Sequence, residues 1–382
     1  MVTCNYDPPE QDEIEVSLFG PGYGEALVLH IGGGNWILVD SCIRPESNTP
    51  AALEYFGLLN IDMEDAVKLI VASHWHDDHI RGLSDLFIKC AHALFSMPIA
   101  LKEKEFLTLI RLYDRFPKTT ENSGLKEFIR IIMTLANRES NAQFKPPKYA
   151  LADRLLYSNQ IRLISDSVDA KVYALSPSDA AFQQSLMAFA NLLPKFNSRE
   201  YKSIIRVASP SPNHTSVVLW IEIGIHRILL GSDLENTNDS ETGWTAILNN
   251  SQVVNNKAGV FKIPHHGSEN AHNDTIWSRF LLDNPYSLLS PFFKGNISLP
   301  TQPDIHRINH FTNNAYITNP TRKRKFRWRD NVVRDFVKDV TPDIYNVHSG
   351  WGHIRLRKKI SDTNPFWQVQ LSGDAEALNV AV

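Results

Sequence analysis

The chain has 382 residues, 43% of them hydrophobic, a formal net charge of −3 and three cysteines. That is apolar material enough for one large domain or two ordinary ones. Cys4, Cys42 and Cys90 lie far apart, which excludes a disulfide scaffold and a thiolate zinc site and leaves ordinary reduced residues. No run approaches the roughly 18 consecutive apolar residues of a membrane helix. The opening MVTCNYDPPEQDEIEV lacks a signal peptide's apolar stretch, so the expectation is a cytoplasmic protein with no membrane partner.

In chain order, EIEVSLF, EALVLHI and NWILVD read as three strands, with the GGGN turn at residues 32–35 between the last two. Pro50 to Leu59 reads as a short helix, and VKLIVAS at residues 67–73 as a buried strand. Helical spacing over 101–116 and 125–138 predicts a helical insertion, about residues 101–140, broken near Pro117 to Gly124. A strand at 172–176 and a helix running to Pro194 follow. SVVLWIEIG, HRILLGSD and GVFKIPHHG then read as three successive strands, and Tyr286 to Ser290 and Asn314 to Thr318 as closing strands. WGHIRLRKK and FWQVQLSG read as a terminal hairpin. Two blocks of strands with interspersed helices predict an α/β protein with two stacked sheets.

Ser73-His74-Trp75-His76-Asp77-Asp78-His79 is the densest group of metal-ligand side chains in the chain, placed directly after an apolar strand. Neutral imidazoles and carboxylates are the donors that zinc and similar metals take. His74 and His76 can point the same way from an extended segment, while Asp78 and His79 turn to a neighbouring position, a spacing suited to two metals. Three later segments each put a ligand-type side chain at a strand terminus: Asn213-His214-Thr215-Ser216, Gly231-Ser232-Asp233 and Pro264-His265-His266-Gly267-Ser268. Loops on a rigid scaffold are where such sites are built. Asp233 is the candidate bridging carboxylate. Taken singly, His214 also suits a capping or core position, and Asp233 a turn.

Charge is uneven. Between Arg322 and Lys359 twelve Lys or Arg face four acids, a local balance of +8 that leaves −11 for the rest of the chain. Within it, Arg322, Lys323, Arg324, Lys325, Arg327 and Arg329 interleave with Phe326 and Trp328. Cations neutralise phosphates and aromatics stack on bases, so Arg322, Lys323, Arg324, Lys325, Arg327 and Trp328 are candidate substrate contacts for nucleic acid or a nucleotide. Arg355 and Arg357 alternate on one face of the same region. An amphipathic edge strand has the same pattern.

The series His-x-His-x-Asp-His, a later histidine, an aspartate ending a strand and a final histidine resembles the ligand series of the metallo-β-lactamase superfamily. Asp40, closing NWILVD, is similar to that family's early structural aspartate. The nearer likeness is to the subgroup that includes the hydrolase domain of the bacterial competence (DNA-uptake) channel protein and phosphorylcholine esterases. Gly22-Tyr23-Gly24-Glu25-Ala26, Asn213-His214-Thr215-Ser216, Gly231-Ser232-Asp233 and Pro264-His265-His266-Gly267-Ser268 carry it. The likeness spans roughly residues 14–320. Two departures stand out: Asn296-Ile297-Ser298-Leu299-Pro300 replaces an asparagine followed by His-Pro, and the aspartate is reached through Gly-Ser-Asp.

The resemblance implies a metallo-β-lactamase αββα sandwich over residues 1–320 with the helical insertion, and a basic C-terminal extension over 321–382 whose hairpin packs on the domain. It implies two divalent metal ions, Zn²⁺ or alternatively Mn²⁺. One would be held by His74, His76 and His214, the other by Asp78, His79 and His266, with Asp233 bridging. His265 becomes a phosphate or leaving-group contact, although the reverse assignment of His265 and His266 stays open. The activity implied is hydrolysis by a metal-bound hydroxide, Asp78 orienting the water or taking its proton. A phosphodiesterase or nuclease is the leading expectation. Hydrolysis of another ester, thioester or lactam is the alternative, as is a metal-binding subunit of a larger assembly such as a defence system. In such an assembly the inserted helices serve as a partner surface. Their other reading is a cover for the site.

Overall fold

A computed structural model describes residues 6–20, 24–115, 123–140, 144–163, 166–192, 212–295, 297–320 and 350–380. The basic run 322–329, the segment Gly22-Tyr23 and Asn296 lie outside the described residues.

Two eight-stranded sheets form the body. The first runs, in spatial order, Gln368–Gly373, Gly352–Lys359, Glu13–Gly20, Ala26–His30, Trp36–Val39, Val67–Val71, Leu94–Pro98 and Lys148–Ala150. The second runs Glu376–Ala377, Ala315–Ile317, Leu281–Leu289, Ala258–Lys262, His226–Leu230, Leu219–Ile223, Ser167–Ala174 and Arg154–Arg162. The terminal hairpin is hydrogen-bonded into the first sheet: Gly352–Lys359 pairs antiparallel with the whole of Glu13–Gly20. Among the described residues no helix is long and apolar enough to cross a membrane.

Layering follows from the period of two in the strands. On the first strand Ile14, Val16 and Leu18 join Leu219, Ile221, Val260 and Leu288 in one core between the sheets. Phe19 faces the other way, into a second core with Tyr55, Phe56, Phe87 and Phe128 from the helices outside the first sheet. Val218, Trp220, Leu229 and Phe261 build the third, with Trp244, Ile276 and Ile305 from the helices outside the second. Three apolar layers between four layers of structure make an αββα sandwich. The fold is mixed α/β with two large sheets flanked by helices.

The inserted helices Lys104–Arg115 and Ser123–Arg138 belong to that outer core through Phe106, Leu109, Leu125, Phe128 and Ile131. Phe106 meets Trp75 edge-on at 6.2 Å, and the Gly124 N–H donates to Asp77 at 2.6 Å. The insertion therefore buttresses the histidine loop from one side.

Arg355 and Arg357 do not form an exposed basic face. Arg355 is buried, with Nη1 3.4 Å from the Tyr55 hydroxyl, and Arg357 pairs with the buried Glu15 at 2.8 Å. Tyr55 donates to the same carboxylate at 2.6 Å. Arg357 neutralises a buried acid beneath the helix Ala51–Leu59 and Arg355 bonds to the tyrosine that shares it, which accounts for alternating charge on a strand that is not an edge.

His30, on the strand Ala26–His30, is 1% exposed, and its Nε2 accepts from the Gly34 N–H at 3.1 Å, securing the GGGN turn. Burial, opposed by a backbone hydrogen bond near Glu13 and reinforced by Arg357, lowers its pKa from 6.5 to about 4. The folded chain thus refuses a proton that the unfolded chain binds between these values, so stability is full above pH 6.5 and falls as pH drops toward 4. At about 1.4 kcal/mol per unit, His30 accounts for a loss of about 3 kcal/mol. Urea melts at pH 7 and pH 4 should show wild type losing about that much more than His30→Gln. Equal losses in both proteins would remove His30 as the source.

Candidate metal centre

Apart from His214, which precedes the strand Leu219–Ile223, the ligand-type residues singled out from the strand ends lie at the carboxyl end of a strand or just beyond it. Trp36–Val39 and Val67–Val71 run parallel, as do His226–Leu230, Ala258–Lys262 and Leu281–Leu289. Asp40, Ser73 to His79, Asp233, His265 and His266, and Ser290 follow these strands in turn. Carboxyl ends of parallel strands are the general place for a site in an α/β sheet. Backbone hydrogen bonds lock the loops together: Asp40 N–H to the Val71 carbonyl at 2.9 Å, Ser41 N–H to the His79 carbonyl at 2.6 Å, and Val217 N–H to the Ser73 carbonyl at 2.9 Å.

This packing strains the backbone. Asp40, Ser232, His265 and His266 have φ of 61°, 46°, 46° and 53°, four of the eight non-glycine residues in the left-handed region among those described. Each such residue costs on the order of 1 kcal/mol or more and persists where its surroundings over-determine it. Ser232, the residue inserted before Asp233, is held because its carbonyl accepts from both the His265 N–H at 2.9 Å and Lys262 Nζ at 3.1 Å. Gly24 must be glycine: at φ +102°, a Cβ there would sit 3.0 Å from the Asp78 carbonyl oxygen.

Asp78, His79, Asp233 and His266 are all buried and present donor atoms within 4.8 Å of one another. His79 Nε2 lies 3.3 Å from Asp233 Oδ2 and 3.8 Å from Asp78 Oδ2, and His266 Nε2 lies 3.3 Å from Asp78 Oδ2 and 3.6 Å from Asp233 Oδ2. Nevertheless His79 Nε2, His266 Nε2 and Asp233 Oδ1 are buried without a hydrogen-bond partner. The opposite ring nitrogens are engaged. His79 Nδ1–H donates to Asp40 Oδ2 at 2.7 Å, and His266 Nδ1–H to the Ser290 carbonyl at 3.0 Å. Ser73 Oγ gives its proton to Asp40 Oδ2 at 2.6 Å and accepts from His74 Nδ1 at 2.9 Å. Three imidazoles thus have Nδ1–H pinned outward and Nε2 turned inward. A carboxylate or carbonyl behind the ring is how a protein fixes a histidine as a metal ligand. The donor set, three imidazoles and two carboxylates, suits a borderline divalent metal.

The remaining candidates divide. His76 Nδ1 meets His74 Nε2 at 3.1 Å, and His74 Nε2 is 4.0 Å from Asp233 Oδ2, so this pair adjoins the four-donor group. His214 does not join it: its side chain is 44% exposed and Nε2 faces Glu235 at 3.8 Å. His265 stands beside it on the rim. Its Nδ1 is 2.9 Å from Asn270 Oδ1 and 3.3 Å from Glu235 Oε1, and its Nε2 accepts from Asn213 at 3.3 Å. The sequence assigned no role to Ser73, Glu235, Asn270, Ser290 or Lys262. Of these only Lys262 carried a signal, a lysine inside an apolar strand.

Electrostatics sort the imidazoles. Burial, with His79 and His76 nearby, holds His74 well below the usual histidine range and hence neutral. Burial works against charge on His79 and His266 too, but Asp233 and the other carboxylates outweigh it and raise both. Conversely, burial would lift Asp78 and Asp233, yet the facing histidines hold both below the usual carboxylate range. The centre demands positive charge.

No protein-family model and no curated protein sequence matches this chain. Among solved structures it is similar to the metallo-β-lactamase-fold protein YhfI of Bacillus subtilis, at 12% identity over 65% of this chain and 70% of that one, TM-score 0.32. A subclass B3 metallo-β-lactamase from a soil metagenome library, MEM-A1, is 15% identical over 69% of this chain and 83% of its own, TM-score 0.31. The short form of human tRNase Z is 13% identical over 65% and 76%, TM-score 0.31. At such scores these likenesses carry no argument about the chemistry of this chain.

Asp40 accepts from the Ser73 N–H at 2.7 Å, the Ser73 hydroxyl and His79. Asp40→Ala should therefore lower Zn²⁺ affinity by about 10–100-fold in chelator competition, as outer partners of ligands generally do. Unchanged affinity in a folded variant would sink the assignment of Asp40 as the residue that orients His79.

Proposed function

We propose that this chain is a metal-dependent hydrolase with a dinuclear centre, acting on a phosphodiester. The observation that carries the metal is the convergence of buried, unpartnered Nε2 atoms of His79 and His266 on Asp78 and Asp233. In this reading Asp78, His79 and His266 would hold one Zn²⁺ or Mn²⁺ ion and His74 and His76 the other, with Asp233 between them; His214, which faces Glu235, would have to turn to join the second. Bound there, the pair supplies a water-derived nucleophile at neutral pH and polarises the substrate oxygen.

The residues of the chain do the rest. Asp78 is buried, with 9% of its side chain exposed, and the facing histidines keep it ionised, so its carboxylate is placed to orient an attacking water. Asp40, Ser73 and Ser290 keep the three imidazoles from turning. His265, fixed by Asn270 and Asn213 on the rim, contacts the substrate's phosphate or leaving oxygen. The buried walls exclude water from the far side of the centre, where Lys262 and Glu25 are 0% and 1% exposed.

The phosphodiester draws on two sequence features: the resemblance to the competence-protein subgroup, and the cation-aromatic run Arg322, Lys323, Arg324, Lys325, Arg327 and Trp328. Purified chain should bind about two metal ions and cleave bis-p-nitrophenyl phosphate, with single-stranded DNA, double-stranded DNA and RNA assayed beside it. Asp78→Ala and His266→Ala should abolish cleavage. Two bound metals without phosphodiester cleavage would move the substrate to another ester, thioester or lactam, and no bound metal would reject the centre itself.

A further inference from the structure

Lysine is rarely buried completely, because removing an ammonium from water is expensive unless it is paired. Lys262 is 0% exposed and Glu25 1%. Both share the strand parity of residues in the core between the sheets: Lys262 that of Val260, and Glu25, one position before its strand, that of Leu27 and Leu29. Neither residue reaches the substrate side. They lie at the inner end of that apolar layer, directly under the ligand cluster.

Their contacts run upward. Lys262 Nζ is 2.5 Å from Glu25 Oε1, donates to the Ser232 carbonyl at 3.1 Å, and lies 3.8 Å from Asp233 Oδ1. Glu25 Oε1 is 3.8 Å from His79 Nδ1, and its Oε2 is 3.8 Å from His266 Nδ1. The Glu25 N–H donates to the Asp78 carbonyl at 2.9 Å. One pair therefore touches four candidate ligands, Asp78, His79, Asp233 and His266. The described ion pairs join no other lysine or arginine to this centre.

We infer that Glu25 and Lys262 are positioning residues for the metal centre, a buried charged pair that fixes the spacing of the donor set from below. Lys262 holds the Ser232-Asp233 turn and offsets part of the Asp233 charge. Glu25 places negative charge 3.8 Å behind the Nδ1 atoms of His79 and His266, beside the Asp40 and Ser290 acceptors that hold those rings. The inference rests on the proposed metal centre, and a simpler role for the pair is mutual neutralisation alone.

The two roles separate in Glu25→Gln/Lys262→Met, a neutral pair of similar volume. Replacing both members of a buried ion pair spares the chain the uncompensated charge that a single replacement leaves. On the full chain, Zn²⁺ affinity by chelator competition, the ligand-field spectrum of the Co²⁺ form and the melting curve of the metal-free protein are measured together. The expected result is a cooperative melt with Zn²⁺ bound about 10–100-fold more weakly and a changed Co²⁺ spectrum. Wild-type affinity and spectrum in the folded double variant would overturn the inference. If the double variant does not fold, Glu25→Gln alone is read by the same two criteria. Wild-type chain that binds neither Zn²⁺ nor Co²⁺ would instead defeat the metal centre, and so distinguishes the two failures.

Discussion

Buried negative charge is the constraint on which the rest of this structure turns. Glu25, Asp40, Asp78 and Asp233 are each 7% exposed or less, and all lie within contact of His79 or its immediate partners. Carboxylates so placed are tolerated only beside positive charge or full hydrogen bonding. Asp40 meets that condition with three donors from Ser73 and His79. Asp233 meets it only in part, through Lys262 3.8 Å away, and Asp78 has no lysine or arginine beside it among the described ion pairs; both face Nε2 atoms that no hydrogen bond satisfies. A divalent cation would resolve both deficits at once; without one, the same carboxylates drive His79 and His266 toward their charged forms.

The scaffold exists to hold that arrangement. Both sheets bring parallel strands to one end, and each sheet places candidate ligands just beyond strand ends there. Turning sharply enough to aim the side chains inward forces Asp40, Ser232, His265 and His266 into left-handed backbone. The stability lost there is offset by three apolar layers whose residues alternate along the strands. The inserted helices press on Trp75 and Asp77 rather than standing apart, so the ligand loop is clamped from outside as well as from beneath.

Much of this was legible in the amino-acid sequence, and the limits have physical causes. The strands around Leu38, Ile70, Ile221 and Val260 announced themselves because apolar residues dominate both faces of buried strands, and that around Ile14 by its alternation. The loop His74 to His79 stood out because its donors are contiguous. Asp233 and His266 were legible as strand-end residues. What could not be read was orientation. Nothing local tells that His214 turns to Glu235, or that Arg355 and Arg357 point into the fold at Tyr55 and Glu15, since each partner lies far away in the chain. Ser290 acts through its carbonyl, which every residue has. Lys262 is the instructive case. A lysine in an apolar strand is visible, but its meaning depends on Glu25, brought within 2.5 Å only by the pairing of distant strands.

The central claim is that the inward Nε2 atoms await a cation, and diffraction from crystals grown with Zn²⁺ tests it most directly. Data collected on both sides of the zinc absorption edge should show an anomalous peak about 2.0–2.2 Å from His79 Nε2, His266 Nε2 and carboxylate oxygens of Asp78 and Asp233. A second peak beside His74 and His76 would complete the centre and show whether His214 swings to it. No peak at these atoms, with both imidazoles still facing the carboxylates, would contradict the account.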